Sequence, residues 1–528
     1  MNDRMLASGN EAIAMAAFDC GVNLGAGYPG TPSSEILDEF SRLGGSAEWA
    51  PNEKCALEVG IGVAEGGGRS IVTMKHVGLN VAADPLFTIA YSGTPGGLVI
   101  ISADDPGMAS SQNEQDNRRY ARAACVPMFE PTDTQECYDY TVAAFELADR
   151  FRSPVLLRLT TRVCHSKCIF TRNHAAEAPR SGSYAKDSAA NVMVPANARK
   201  AHRRLRADLN AMQAENEKGK FTTQIAGSKE LGIIASGIAY QHALDAAPEA
   251  SFFKPGMTHP LPVEAMRRFA ASVKRCVVIE EGDPVMYEAL RIAGVEVENK
   301  PEMYRFGELN VARVRRILAG DVSPEPAPVP GKPPQLCPGC PHRKSFEALR
   351  DLGCIVAGDI GCYTLGVMPP FSAMDISVCM GASITVGVGM RKVLPEAEAR
   401  RVVSVIGDST FWHSGINGLV ELVYNPPKTG HVVIVLDNST TAMTGMQEHP
   451  GTGRKLDHVT PATKLSIEKA AEGIGIKNID VIDTTAENER FKELLKARLA
   501  SNDCSLIIAR RSCIIALAKS KQYAAKGE

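Results

Sequence analysis

Several features that would point to a particular function class are missing from this chain of 528 residues. The formal net charge is −2, so nothing global favours nucleic acid or a membrane surface as a partner. No run of about 18 uncharged apolar residues is present, and we expect no transmembrane helix. The first residues, MNDRMLASGNEA, lack the apolar core of a secretory signal, so we expect a cytoplasmic protein. No Gly-x-Gly-x-x-Gly opens a strand–helix unit, which argues against a nicotinamide-dependent dehydrogenase.

What is present is the pattern of an α/β protein. Short apolar runs such as 97–102 (GLVIIS), 154–159 (PVLLRL) and 402–406 (VVSVI) alternate with helical patterns such as 135–148. Strands buried on both faces of a parallel sheet produce such runs, because both sides of the strand meet apolar neighbours. The chain is also too long for a single core, so we expect about three domains.

Changes in composition divide the chain into segments. The first, third and last carry the α/β pattern, the second is polar and basic, and the fourth is rich in proline, which excludes a helix or a central strand. In chain order the segments are 1–170, 171–228, 229–321, 322–335 and 336–528. The densest basic cluster, 199–206 (RKAHRRLR), lies on a predicted surface helix. It is either a solvated face or a contact for an anionic ligand or a partner.

Polar residues follow two apolar strands of the last segment. The strand over 402–406 ends in Gly407, Asp408 and Ser409, and a strand over 431–436 ends in Asp437-Asn438. Ligands bind α/β sheets at these carboxyl ends. A hard cation such as Mg²⁺ takes oxygen ligands that it shares with phosphate. Asp408, the Asn438 amide and the Thr440 carbonyl would supply one face of its octahedron.

The segment between these strands should contain a helix that completes the site. We predict it over 414–424 (SGINGLVELVY), with its N-terminus facing the anion. The alternative for the whole segment is a pair of ordinary strand-end turns, because Asp and Asn are common in turns.

This arrangement resembles the thiamine-diphosphate motif, in which Gly-Asp-Gly is followed after about 25–30 residues by Asn-Asn. Here Gly-Asp-Ser and Asp-Asn stand in those places. The longer string GDSTFWHSGINGLVELVYN…VIVLDNSTTAMTGMQEHPGTG is similar to the large (alpha) subunit of the indolepyruvate ferredoxin oxidoreductase family, and the similarity extends over nearly the whole chain. It implies that 1–170 is a pyrimidine-binding domain and 336–528 a diphosphate-binding domain, flanking a smaller α/β domain over 229–321 like the C-terminal domain of transketolase.

The resemblance also implies a carboxylate in the first domain that hydrogen-bonds the aminopyrimidine ring and drives its imino tautomer. Glu53 and Glu58 are the candidates, and Glu53 has the better spacing to the glycines at 66–68. The alternative is that both acids simply begin a helix. Tyr28 and Thr31, in GYPGTPSS, would lie over the reacting carbon, with Thr31 near the substrate carboxylate.

Two more loops of the first domain are expected to line the cleft. His76 lies in the first (KHVGLN), and the second is 105–117 (DPGMASSQNEQDN). Arg118, Arg119 and Arg122 follow the second loop, and a 2-oxo acid needs a cation for its carboxylate. We choose Arg122, with a surface salt bridge as the alternative.

Fourteen cysteines without an export signal favour reduced thiols or metal ligands over disulfides. By itself the Cys337-Pro-Gly-Cys340 pair fits a redox site, half a zinc site or part of a cluster. The resemblance implies a [4Fe–4S] cluster held by Cys337, Cys340, Cys362 and Cys513, a ligand count that such a cluster requires. Cys354 and Cys379 are substitutes if one of these assignments is wrong.

The family's activity implies the function. We expect oxidative decarboxylation of an aryl 2-oxo acid of the indolepyruvate type to its acyl-coenzyme A, with electrons passing through the cluster to ferredoxin or a partner subunit. A small beta subunit of about 200 residues is implied, in a hetero-oligomer built on a dimer. Phe411, Trp412 and His413 are candidates for the aryl pocket or for the core. A non-oxidative thiamine-dependent decarboxylase and a catalytically silent, cofactor-binding subunit stay open as alternatives.

Overall fold

Buried aliphatic strands separated by helices give the chain an α/β fold with parallel sheets, which confirms the predicted class. The computed structural model describes residues 3–326 and 334–524. The chain divides into two units, Met1–Pro326 and Ala327–Glu528. The first three predicted segments therefore belong to one unit, and the boundaries between them stay predictions.

The described residues of the first unit form three sheets. Its strands are β1 (Asp3–Ser8), β2 (Leu24–Gly27), β3 (Ala47–Trp49), β4 (Ser70–Lys75), β5 (Leu98–Asp104), β6 (Met128–Phe129), β7 (Val155–Thr160), β8 (Lys167–Arg172), β9 (Thr222–Ile225), β10 (Ser228–Ala235), β11 (Ala250–Pro255), β12 (Met257–His259) and β13 (Arg275–Ile279). The largest sheet has the order β12-β6-β7-β5-β4-β2-β3 and is parallel except for β12. Its central strands are completely buried, as their continuous apolar runs predict.

The smaller sheets have mixed strand directions. One has the order β13-β10-β11-β9, parallel except for β9, and the other pairs β1 with β8 antiparallel. Strand β12 comes from the predicted segment 229–321 but extends the largest sheet, so the two predicted segments share a sheet.

The helices of the first unit cover these sheets. They are α1 (Gly9–Asp19), α2 (Ser34–Arg42), α3 (Glu53–Glu65), α4 (His76–Val81), α5 (Ala83–Ser92), α6 (Arg118–Ala124), α7 (Thr134–Phe151), α8 (Thr161–His165), α9 (Ser188–Asn191), α10 (Pro195–Asn216), α11 (Gly237–Ala246), α12 (Val263–Ala271), α13 (Val285–Ile292) and α14 (Val311–Leu318), with a 3₁₀ turn at Glu302–Arg305. The basic cluster lies on α10, whose Leu205, Leu209 and Met212 are buried while most of its arginines face solvent.

In the second unit, the described residues form one parallel sheet. Its strands are β14 (Ile355–Gly358), β15 (Ile376–Ser377), β16 (Val402–Gly407), β17 (His431–Asp437), β18 (Asn478–Ile482) and β19 (Cys504–Arg510). The order is β15-β14-β16-β17-β19-β18, so β16 and β17 are central neighbours and β19 follows them. Of the predicted linker 322–335, residues 322–326 form neither helix nor strand, and 327–333 lie outside the described residues.

The helices of this unit include one that differs from the prediction. They are α15 (His342–Asp351), α16 (Ala382–Val393), α17 (Glu396–Ala399), α18 (Asp408–Thr410), α19 (Ile416–Tyr424), α20 (Ile467–Ile474), α21 (Asn488–Ala500) and α22 (Ile514–Ala524), with a 3₁₀ turn at Cys362–Val367. The predicted helix over 414–424 begins earlier, at Asp408, and a wide π turn at Phe411–Gly415 joins α18 to α19. Burial of Phe411 and Trp412 in the core outweighs the turn propensity of Ser414-Gly415.

No helix within residues 3–326 and 334–524 has the length and hydropathy needed to cross a membrane.

Candidate functional site

The carboxyl ends of β16 and β17 bring Asp408 and the loop after Asp437 together. Asp408 is buried, and its Oδ2 accepts hydrogen bonds from the backbone N–H of Ser439 at 2.7 Å and from His449 Nε2 at 3.1 Å. The φ of Ser439 is 61°, in the left-handed region, which turns this N–H toward the carboxylate. His449 Nδ1 accepts from the N–H of Gly451 at 3.1 Å, so Nε2 carries the proton that it donates to Asp408.

Negative charge is concentrated at this point. Burial raises the pKa of Asp437, and the neighbouring Asp408 carboxylate raises it further, although Arg510 Nε donates to Asp437 Oδ2 at 2.6 Å. Burial would also raise the pKa of Asp408, but His449 and the surrounding backbone N–H groups outweigh it and lower that pKa. Two adjacent buried carboxylates are stabilised by a divalent cation, so the donor set fits Mg²⁺.

The other predicted ligands lie in the same loop. Asn438 Oδ1 accepts from the N–H of Thr440 at 3.1 Å, and Thr440 Oγ1 donates to the Gln447 carbonyl at 3.3 Å. Gly407 has no room for a side chain, because a Cβ there would lie 2.5 Å from Tyr363 Cε1. Ser409 Oγ lies 2.8 Å from Thr441 Oγ1, so the two strand-end loops also meet through their hydroxyls.

A cavity of about 670 Å³ opens beside this loop. Its lining includes Asn438, Ser439, Thr440, Glu448, Thr452, Arg454, His458, Ser512 and Lys519. Arg454 and Lys519 are cations that can meet an anionic ligand, and His458 is held by Glu448 at 3.0 Å. The chemistry of this lining fits a diphosphate.

The predicted cluster ligands converge in the same unit. Cys337, Cys340, Cys362 and Cys513 all line one cavity with an empty volume of about 530 Å³, together with His342 and Asn438. Burial raises the pKa of Cys340 and of Cys362 to about 11, and in both cases the neighbouring thiols add to the rise. Cationic iron would reverse this preference and stabilise the thiolates.

Four cysteines at one cavity provide the ligand count of either a zinc ion or a [4Fe–4S] cluster. Zinc draws its four ligands to one centre, whereas a [4Fe–4S] cluster spreads four thiolates over four irons. Neither substitute, Cys354 nor Cys379, lines the cavity.

In the first unit the two candidate carboxylates differ in burial. Glu53 is 6% exposed at the start of α3, and a Cβ on Gly78 would lie 2.7 Å from its Cγ and Oε1. Glu58 is exposed and pairs with Lys54. Asn52 caps the helix by accepting from the Cys55 N–H at 2.9 Å. Only Glu53 has the buried, packed position that a ring-binding carboxylate needs.

His76 joins the two predicted strand-end loops. Its Nε2 faces the carbonyl of Asn113 at 3.1 Å and that residue's Oδ1 at 3.2 Å, and its own carbonyl accepts from Asn117 Nδ2 at 3.0 Å. Since Nε2 faces only acceptors, it carries the proton, and Nδ1 is a buried acceptor with no hydrogen-bond partner in the described part of the chain. Burial and the adjacent Lys75 lower the pKa of His76, so the ring is neutral near pH 7.

The remaining predicted residues of this unit fall in different places. Tyr28 is buried and Thr31 half-buried in the loop after β2. Arg118 is buried and pairs with Asp116 and Glu280, and Arg119 makes surface ion pairs. Arg122 is exposed and lines a cavity of about 870 Å³ with His259, a lining that includes none of Tyr28, Thr31, Glu53 or His76. Its assignment to a substrate carboxylate stays a prediction.

Two family models match this chain, one in each of its two units. The family model "Pyruvate flavodoxin/ferredoxin oxidoreductase, thiamine diP-bdg" matches residues 15–171, and "Thiamine pyrophosphate enzyme, C-terminal TPP binding domain" matches residues 359–509. The indolepyruvate oxidoreductase subunit IorA of Methanothermobacter thermautotrophicus is 39% identical over 97% of this chain and 87% of its own length. The chain belongs to the IorA family.

Other relatives agree with this assignment. IorA of Archaeoglobus fulgidus is 37% identical over 99% of this chain and 89% of its own. A solved 2-oxoglutarate:ferredoxin oxidoreductase from Magnetococcus marinus, with 2-oxoglutarate, coenzyme A and succinyl-CoA bound, shares the fold with a TM-score of 0.51. That match has 16% identity and covers 61% of this chain and 66% of that one. As an IorA family member with both thiamine diphosphate domains, the chain is a thiamine-diphosphate-dependent oxidoreductase of the 2-oxo acid class.

Sequence reasoning missed two residues of the site. His449 lies in QEHPGTG, a string that was similar to the family without any role for its histidine, and His342 follows the Cys337–Cys340 pair directly. Both are buried, and each contacts a predicted metal ligand. His449 lies inside the string that carries the resemblance and His342 lies two residues after Cys340, and those positions were the signal that could have found them.

Proposed function

We propose that this chain catalyses the oxidative decarboxylation of an aryl 2-oxo acid, of the indolepyruvate type, to its acyl-coenzyme A, with electrons passing through a [4Fe–4S] cluster to ferredoxin or a partner subunit. The convergence of four cysteines on one cavity that Asn438 also lines is the observation that carries the proposal. A thiamine enzyme without electron transfer needs no such cavity.

In the second unit, the residues that would hold the cofactors are assigned by their donor atoms. Asp408, Asn438 and Thr440 would bind Mg²⁺ through oxygen, with Gly407 and Ser409 shaping the turn toward the diphosphate. Cys337, Cys340, Cys362 and Cys513 would bind the cluster. When bound, thiamine diphosphate supplies an electron sink for decarboxylation, and the iron–sulfur cluster supplies one-electron transfer.

In the first unit, the residues would orient the ring and the substrate. Glu53 would hold a proton between its carboxyl group and the ring nitrogen of the aminopyrimidine. Nδ1 of His76, which has no hydrogen-bond partner among the described residues, would accept a hydrogen bond from a bound group, since a buried acceptor left unpaired is costly. Tyr28 and Thr31 would cover the reacting carbon, and Arg122 would meet the substrate carboxylate.

The substrates and partners are supported by relatives. Indolepyruvate is named in the IorA relatives, and coenzyme A is bound in the solved 2-oxoglutarate enzyme. The relatives are named as subunits, which supports a small second subunit and an electron acceptor. Phe411 packs in the core, so an aryl pocket would have to use other side chains. All fourteen cysteines are free of disulfides, which suits a reducing, cytoplasmic compartment.

Anaerobically purified protein tests the proposal. We expect bound iron and sulfide, and reduction of a viologen dye that requires both indolepyruvate and coenzyme A. Cys362→Ser should lose iron, whereas Cys379→Ser, which changes a cysteine outside the cavity, should keep it. Because the family implies a second subunit, the assay is run with and without co-purified partners. Iron-free protein that still releases CO₂ would instead identify a non-oxidative decarboxylase.

A further inference from the structure

Asn438, a predicted Mg²⁺ ligand, is held by groups from the cysteine cavity. Its Nδ2 lies 3.2 Å from His342 Nε2, and its backbone carbonyl accepts from the N–H of Cys513 at 2.9 Å. His342 begins α15 two residues after Cys340 and is 3% exposed. The loop that would bind the cation and the loops that carry the cysteines are therefore joined at one residue.

The backbone N–H of Thr440, which can only donate, identifies which end of the Asn438 amide is the oxygen. The backbone N–H of Thr440 points at one end of the amide at 3.1 Å, so that end is the oxygen and the other is the NH₂ group. The NH₂ group then faces His342, and since an amide nitrogen can only donate, His342 Nε2 accepts. A reversed amide would set two donors against each other at Thr440.

We propose that His342 is a positioning residue that turns the Asn438 amide so that Oδ1 is presented to the cation. This inference rests on the proposed function, which makes Asn438 a ligand. Oδ1 has two lone pairs, and the Thr440 N–H uses one, so the other is available to a metal. Without an acceptor at position 342, the NH₂ group loses the partner that holds it on that side.

The surroundings of His342 hold the ring in place. Tyr363 lies edge-on to the ring with centroids 6.2 Å apart, and its hydroxyl bonds to Thr410, beside Asp408. The ring therefore has little freedom to adopt another position, as a positioning group requires. Residues that orient metal ligands from outside the coordination sphere typically change metal affinity by about 10- to 100-fold when replaced.

The test measures Mn²⁺ binding by EPR in the presence of excess thiamine diphosphate, on the full chain purified anaerobically. His342→Phe keeps the ring and its contact with Tyr363 but removes the acceptor, and should weaken Mn²⁺ binding about 10-fold or more. His342→Gln supplies an amide oxygen as acceptor and should recover most of that loss. The matched control is His431→Gln, at a buried histidine that bonds Ser404 at the opposite end of β17; it should bind Mn²⁺ like the wild type.

The outcomes distinguish a failure of this inference from a failure of the proposed function on which it rests. Wild-type protein that binds no Mn²⁺ with thiamine diphosphate overturns the proposed function. Wild-type and His342→Phe proteins of equal affinity overturn only the role of His342. If His342→Phe does not fold, as judged by near-UV circular dichroism, His342→Gln decides: a large loss of affinity in that folded variant contradicts the acceptor role.

Discussion

Replacing Gly78 with alanine tests whether the position of the Glu53 carboxylate matters for catalysis. Gly78 lies in α4, and an added Cβ would stand 2.7 Å from both Cγ and Oε1 of Glu53. Ordinary contact between carbon atoms begins at about 3.5 Å, so the carboxylate has to retreat by about 0.8 Å. The carboxylate is the far end of the flexible Glu53 side chain, so it can move while α3 stays folded.

The size of the effect follows from that displacement. A misplacement of about 1 Å in a reacting group costs about 100-fold in rate, or about 2.7 kcal/mol of transition-state stabilisation. We expect Gly78→Ala to lower kcat by about 30- to 100-fold in viologen-coupled turnover of the 2-oxo acid. The free energy of unfolding should fall by no more than about 2 kcal/mol, because the better helix propensity of alanine, about 1 kcal/mol, offsets part of an overpacking cost of about 1–3 kcal/mol.

Gly62→Ala is the matched control. Gly62 lies on α3, the helix that carries Glu53, and a Cβ there meets nothing within 4 Å. Such a change should stabilise the protein by about 0.4–1 kcal/mol and leave kcat unchanged. Gly78→Ala protein that is folded and fully active would refute the reasoning, because the Glu53 carboxylate would then be moved without consequence.

Three further predictions use other parts of the chain. Glu53→Gln should lower kcat by at least about 100-fold, whereas Glu58→Gln, on the exposed side of the same helix, should have no effect; equal activities would point to a catalytically silent subunit. Gly407→Ala should destabilise the protein by about 1–3 kcal/mol in urea unfolding, because its Cβ meets the ring of Tyr363. Burial raises the pKa of Glu281 from 4.5 to about 7. A buried acid with a raised pKa contributes most to stability below pH 4.5 and loses that contribution as the pH rises toward 7. Glu281→Gln should therefore be more stable than the wild type by about 2–3 kcal/mol at pH 8, whereas the two proteins should have similar free energies of unfolding at pH 4.5. A gain that is the same at both pH values would contradict this.

The strands of the site could be predicted from sequence because burial on both faces leaves a clear pattern. The runs 402–406 and 431–436 became β16 and β17, with polar residues at their carboxyl ends as expected. The helix between them was predicted to begin six residues late. Ser414 and Gly415 resemble a helix start, but the apolar burial of Phe411 and Trp412 extends the helix back to Asp408.

Side-chain partners were harder to predict than elements. Glu53 and Glu58 are five residues apart, so on an α-helix they point about 140° apart and only one can face the interior. The sequence favoured Glu53 by spacing, but the facing element, α4, was needed to show which side is buried. His342 and His449 were missed since a histidine's role depends on groups far away in the chain, here Asn438 and Asp408.

The loop after β17 contributes residues to both proposed sites, the one for Mg²⁺ and the one for the cluster. Strand β17 lies between β16 and β19. Its last residue, Asp437, pairs with Arg510 of β19. On the other side, the last residue of β16, Gly407, pairs with Leu436 and is followed by Asp408. Asp408 accepts from the Ser439 N–H, and the Asn438 carbonyl accepts from Cys513, just beyond β19. A parallel sheet thus supplies carboxylate, amide and cysteine from three neighbouring strand ends, and Asn438 is the residue that contacts both His342 and Cys513 from the cysteine-bearing segments.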